Sequence, residues 1–159
     1  MEPVERTPTE PADYAALSAV YGALLAGTAI SAHGRDPIPH TELATIAAAS
    51  FALSKLVVHE KVESWMRRPF VDEQDRRPKG RRLRYAVGEL LTCTRCSGAW
   101  SALALVALRT HAPAAGRTVA AVLAASAGND LFQAAFKYLC AHANAEQQVA
   151  EDPSLRPAA

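Results

Sequence analysis

The sequence predicts an all-α chain folded as a four-helix transmembrane bundle, with a basic cytoplasmic connector between its second and third helices. Composition supplies the first reason. Hydrophobic residues make up 50% of the chain but aromatics only 6%, so Ala, Leu and Val carry the apolar character, and these suit helices and a bilayer interior. Charge segregation supplies the second. The net charge is only +1, yet Lys61 to Arg84 holds nine of the 17 Lys and Arg residues. The third is the length of the apolar blocks, none of which alternates with the period of two that a half-buried strand requires. A chain of 159 residues is one domain by length.

Residues 1–12 contain Pro3, Pro8 and Pro11 and an acidic bias (Glu2, Glu5, Glu10), and read as a disordered tail. No basic n-region precedes the first apolar block, so no cleavable signal peptide is expected. A helical membrane domain is expected over 13–142, followed by a flexible C-terminal tail over 143–159. The first helix is predicted around Tyr14 to Ile30, a run without a single charge; with its flanks it reaches the roughly 20 residues needed to cross a bilayer. A polar linker follows, broken by Gly34, Pro37 and Pro39. The second helix is predicted over Leu43 to Val58, interrupted only by Lys55. Val62, Trp65 and Met66 then fall on one side of an amphipathic surface segment that Pro69 ends, and Pro78-Lys79-Gly80 marks a turn or flexible stretch. The third segment runs from Tyr85 to Arg109 and is cleanly apolar from Ser97 to Leu108. The fourth is Thr118 to Tyr138, with Gly128-Asn129-Asp130 in its middle.

Four apolar segments suit either a soluble bundle or a membrane bundle. A soluble helix keeps one polar face, and the first segment has none. Gly22, Ala23, Gly27 and Ala47 to Ser50 suit close packing between membrane helices. Against this, Arg95 and Asp130 would each cost about 2.5 to 3.5 kcal/mol at a bilayer centre. Arg95 escapes if its helix crosses from Cys96 onward and the guanidinium snorkels to the boundary; Asp130 has to face the bundle interior. The basic connector is then cytoplasmic by the positive-inside rule, and four crossings put both termini on the same side, as expected of a multi-pass inner-membrane protein.

Cys93-Thr94-Arg95-Cys96 forms a CxxC. On a continuous helix the two sulfurs share a face, and Arg95 between them favours a thiolate. Three readings are open. The motif is a redox pair, half of a zinc site completed from Cys140, His59 or His142, or a packing element in which small residues, Ser97 and Gly98 among them, allow close helix contact. The cytoplasmic half, where thiols stay reduced, argues against a disulfide generator. Lys55, Glu89 and Asp130, as charges inside apolar segments, are candidates for an ion or proton relay or a substrate contact. The reading favoured is structural: Lys55 and Glu89, at similar depth, are expected to pair and fix helix register, and the deeper Asp130 finds a partner on its own or a neighbouring helix. His33, His40 and His111 are scattered near the outer loops and read as solvated. The run Arg76 to Arg84 is matched to the anionic inner leaflet rather than to nucleic acid, since no recognition fold accompanies it.

The stretch GELLTCTRCSGAW (Gly88 to Trp100) resembles the signature of the DUF1360 family, which typically reads GELLTCPxCxGxW. Upstream, SKLVVHEKVESWMRRPF (Ser54 to Phe70) is similar to the family's apolar-to-basic segment, which ends in an Arg-x-Pro-Phe-like element. SAGNDLFQAAF (Ser126 to Phe136) is similar to its last helix. Thr94 stands where the family usually has proline, and loss of that fixed φ implies a looser local turn. Arg95 stands where an aromatic or apolar residue is usual. The resemblance implies a small bacterial integral membrane protein of uncharacterised function, and no mechanism.

The expected function is therefore non-catalytic support or assembly of a membrane complex, with a membrane partner or a second copy of the chain. Its structural residues are Gly88, Glu89, Cys93, Cys96, Gly98 and Trp100 on the third helix, with Asp130 facing them, and no cofactor is expected. The alternatives are a membrane thiol oxidoreductase or metal-dependent protein using Cys93 and Cys96, and a soluble bundle binding an apolar ligand.

Overall fold

A computed structural model describes residues 7–151; the first half of the expected N-terminal tail and the end of the C-terminal one lie outside them. Helix α1 spans Pro11–Ala32. Proline suits its first turn, and the Glu10 backbone N–H donates to the Asp13 carboxylate at 2.8 Å. The helix stops before Gly34, whose φ of +75° only glycine adopts cheaply. Helix α2, His40–His59, ends where Glu60 turns extended. The connector then folds into a 3-10 turn, Lys61–Glu63, and a short helix α3, Ser64–Arg67. Val62 and Trp65 on it are largely exposed, as the amphipathic reading expects.

Strands β1 (Val71–Asp72) and β2 (Arg77–Pro78) pair antiparallel, Val71 opposite Pro78. The sequence reading expected no strand, and strands of two residues are too short to display alternation. A second correction concerns the third helix. It is two helices, α4 (Leu83–Thr92) and α5 (Thr94–His111), bent by 90° at Cys93. Helix α6 runs from Pro113 to Glu151, straight through Gly128-Asn129-Asp130 and well past Tyr138.

Helices α2, α5 and α6 pack on one another around Ile46, Ala49, Leu105 and Ala120. Helix α1 lies outside them against α5 and α4, where Tyr21 and Trp100 meet edge to face with ring centroids 5.3 Å apart. Two ends are defined. At one, Arg35 donates to the Thr110 carbonyl and Arg109 pairs with Glu42 (Nη2 to Oε2, 3.0 Å). At the other, Arg82 holds Glu10 and Asp13 at the start of α1, so this end gathers the connector and the α1 N-terminus. Asp130 comes 17 residues after Pro113, about 26 Å along α6 at 1.5 Å per residue; the helix continues beyond the bundle.

The polarity of the molecule is reversed relative to a water-soluble bundle. Among the described residues Val58 is the largest wholly buried side chain, and Ser50, Ser54, Ser97, Ser101 and Thr110 are buried with Ile46, Leu103, Leu105 and several alanines. Ser50, Ser54 and Thr110 each donate to a carbonyl three or four residues back, which satisfies them within their own helices. Leu24, Ile30, Phe51, Val122, Phe132 and Phe136 are exposed. Helices α1, α2 and α6 (Pro113–Ala145) are each long and apolar enough to cross a membrane, and the bent pair α4–α5 makes a fourth if counted as one span.

Candidate functional site

Gly88, Glu89, Cys93 and Cys96 come together at the connector end of the bundle, where α4 turns into α5. Thr92 closes α4 by donating to the Gly88 and Glu89 carbonyls, 3.1 Å each. Cys93 leaves the helix (φ −102°, ψ 108°) and caps α5: its Sγ accepts from the Cys96 N–H at 3.4 Å. Ser97 Oγ then reaches back across the break to the Leu90 carbonyl at 2.8 Å. The two cysteines thus do not share a face of one helix; one caps the turn and the other lies in its first turn. Both are half-buried free thiols.

Gly88 marks the closest approach. A methyl group there would lie 2.5 Å from the Phe70 carbonyl oxygen and 2.9 Å from Pro78 Cβ, so α4 docks beneath the hairpin through a glycine. The Phe70 carbonyl also accepts from the Lys79 N–H at 2.8 Å. Glu89 accepts a hydrogen bond from the Tyr14 hydroxyl of α1. The expected Lys55–Glu89 pair does not form. Lys55 Nζ instead meets Asp130 Oδ2 at 2.8 Å, tying α2 to α6, so Asp130 finds its partner on a neighbouring helix. Gly98 faces α2, with Ser54 Oγ 3.9 Å from where its Cβ would be, and Trp100 reaches α1 through Tyr21.

Among the described residues no three His, Cys, Asp or Glu side chains gather as a metal site. Cys140 is exposed on the extension of α6, and His142 is occupied with Tyr138 at 2.8 Å. His59 lines a cleft of about 560 Å3 with Thr94 and Arg95, and Lys55, Ser54, Phe51 and Gly98 complete it.

Sequence reasoning passed over Arg67. Its side chain is almost fully buried; Nη1 donates to the Val57 and Glu60 carbonyls at 2.6 and 3.1 Å, and Nε and Nη2 grip the Glu73 carboxylate at 3.2 Å each. It closes the end of α2 and fixes the hairpin in one contact. The available signal was the Arg-x-Pro-Phe element, whose arginine it is.

A family model described as a protein of unknown function (DUF1360) matches residues 45–136, more than half of the chain and the whole span from α2 through the elbow into α6. No curated protein and no solved structure matches.

Proposed function

The chain belongs to the DUF1360 family, and on that footing we propose that it is a multi-pass integral membrane protein that supports or assembles a membrane complex rather than catalysing a reaction. The observation that carries this is the reversed polarity. Large apolar side chains point outward along α1, α2 and α6, while small residues and self-satisfied hydroxyls share the interior with Ile46, Leu103 and Leu105. Large contiguous apolar surface is rare on water-soluble monomers; in lipid outward apolar side chains are the expected surface. Nine of the 17 cations lie between Lys61 and Arg84, which favours a cytoplasmic connector in the inner membrane with both termini on that side. Those cations also suit the anionic leaflet beneath them. Nothing lies within 4 Å of a methyl group placed at Gly22 or Gly27, so α1 offers a small-residue face to a membrane partner or a second copy.

Alkaline carbonate extraction of membranes tests the location: the full-length protein stays with the lipid. Release into the supernatant overturns the membrane reading and promotes a soluble bundle with an apolar ligand. Gly22→Leu with Gly27→Leu tests the assembly role. The variant is expected to insert normally but to migrate as a smaller species on blue-native gels; unchanged migration removes α1 as the contact.

One observation favours a second reading, a thiol oxidoreductase or metal protein: Cys93 and Cys96 meet at the first turn of α5, sulfur to amide nitrogen at 3.4 Å. Serine is a good N-cap, so Cys93→Ser preserves the elbow. Full function in the double serine variant supports the structural role. Loss of function in protein that folds normally supports thiol or zinc chemistry, which zinc analysis of the purified protein then separates.

A further inference from the structure

The cleft between α2 and α5 is graded from polar to apolar along the bundle axis. His59, the last residue of α2, and Arg95, in the first turn of α5, line its connector end; Phe51, eight residues earlier on α2, lines the other, about 12 Å deeper at 1.5 Å per residue. Gly98 leaves the floor open, with nothing nearer than Ser54 Oγ at 3.9 Å from where its Cβ would be. The charges are unevenly used. Lys55 gives its ammonium to Asp130, and Glu60 lies with that pair along a separate, smaller cleft. His59 and Arg95 have no ion-pair partner among the described residues.

We infer that this cleft holds one anionic phospholipid, its phosphate on Arg95 and His59 and an acyl chain along Gly98 and Phe51. The inference rests on the membrane reading, which puts the end of α2 at the headgroup level. Arg95, without an ion-pair partner among the described residues, attracts a phosphate at that level and offers it a planar fork of donors, to which the His59 ring adds a nitrogen able to hydrogen-bond. A zwitterionic lipid brings its own cation to the same place and loses that advantage. A free phosphate meets the same Arg95 and His59 but leaves the apolar floor uncovered. The volume, about 560 Å3, falls in the range of small-molecule sites and accommodates a headgroup and the upper part of a chain.

Native mass spectrometry of the full-length protein in uncharged detergent tests this with phosphatidylglycerol, phosphatidylcholine and inorganic phosphate as probes. Phosphatidylglycerol is expected to be retained at one per chain, about tenfold better than phosphatidylcholine, and to be weakened about tenfold by Arg95→Gln with His59→Gln, the scale of one charge-assisted hydrogen bond. Gly98→Leu fills the floor without altering charge and is expected to weaken it as well. Equal retention of both lipids, or retention unchanged by the charge variant, overturns the inference. So does inorganic phosphate that competes fully, which makes the site one for a free anion. If the charge variant does not accumulate, Phe51→Trp decides: its added fluorescence is quenched more by brominated phosphatidylglycerol than by the brominated choline lipid, and equal quenching overturns the inference. Equal retention in protein that stays with membranes under carbonate removes this inference alone; release by carbonate removes the membrane reading itself.

Discussion

At Gly88 the backbone of α4 passes so close to the hairpin that the first carbon of any side chain would meet the Phe70 carbonyl oxygen at 2.5 Å. That oxygen is held by the Lys79 N–H and cannot withdraw without breaking the hydrogen bond. Gly88→Ala is therefore expected to cost about 1 to 3 kcal/mol, the usual range for overpacking, read as a lower Tm in detergent. Gly98→Ala has 3.9 Å of clearance and should leave Tm unchanged; equal losses at both glycines would remove the close-approach argument. The position of Gly88 in a motif was legible from sequence, but not its reason, because Phe70 and Pro78 are brought to it only by the folded connector. Lys55 shows the same limit. Hydropathy places a charge by depth, and Lys55 and Glu89 match in depth, but it does not say which way a side chain faces around its helix. Tyr14 takes Glu89, and Asp130 takes Lys55. A charge cut off from its partner in lipid is costly, whereas removing both is not. Lys55→Met or Asp130→Leu alone should lower the amount of folded protein more than the two together, measured by size-exclusion profiles of membrane extracts; additive losses would deny the coupling.

Among the elements, α1, α2 and the first half of α6 were legible because each is a run of about 20 residues nearly free of charge, which leaves few structural choices. The elbow was not. Gly88 to Trp100 contains no proline and lies inside a largely apolar run, so a continuous helix is the natural reading. The family signature has proline at the position of Thr94, which is the first residue of α5, where proline is favoured. Here the turn is kept without it: Cys93 caps α5, and Ser97 clamps the Leu90 carbonyl. The connector was legible as basic and turn-rich, but its order was not, because one buried arginine supplies it. Arg67 serves two carbonyls and a carboxylate from one planar fork, which a lysine ammonium cannot span. Arg67→Lys is expected to free the hairpin from α2 and speed chymotryptic cleavage after Phe70 several-fold. Unchanged cleavage would mean that the hairpin is held by α4 alone.

On the scale of the whole molecule, two clusters of ion pairs and hydrogen bonds define two ends separated by an apolar middle. Arg35, Glu42, Arg109 and Thr110 close one end; Arg82 with Glu10 and Asp13, and Arg67 with Glu73, close the other. Charged contacts at the ends and apolar side chains facing outward between them are what a bilayer about 30 Å thick selects. On the proposed four-span reading the Asp36 loop and the hairpin turn at Gln74 would lie on opposite faces of the membrane, and both positions are exposed. Asp36→Cys and Gln74→Cys, each in a chain whose Cys93, Cys96 and Cys140 are serine, turn this into a measurement with a membrane-impermeant maleimide. Intact cells stripped of their outer envelope should label position 36 and not 74, and inverted vesicles the reverse, since the most cation-rich connector stays in the cytoplasm. The opposite pattern would keep the bundle but invert it, putting the elbow cysteines in an oxidising compartment where disulfide chemistry becomes reasonable. Labelling of both positions from one side would mean that α2 does not cross, and the four-span arrangement would fall with it.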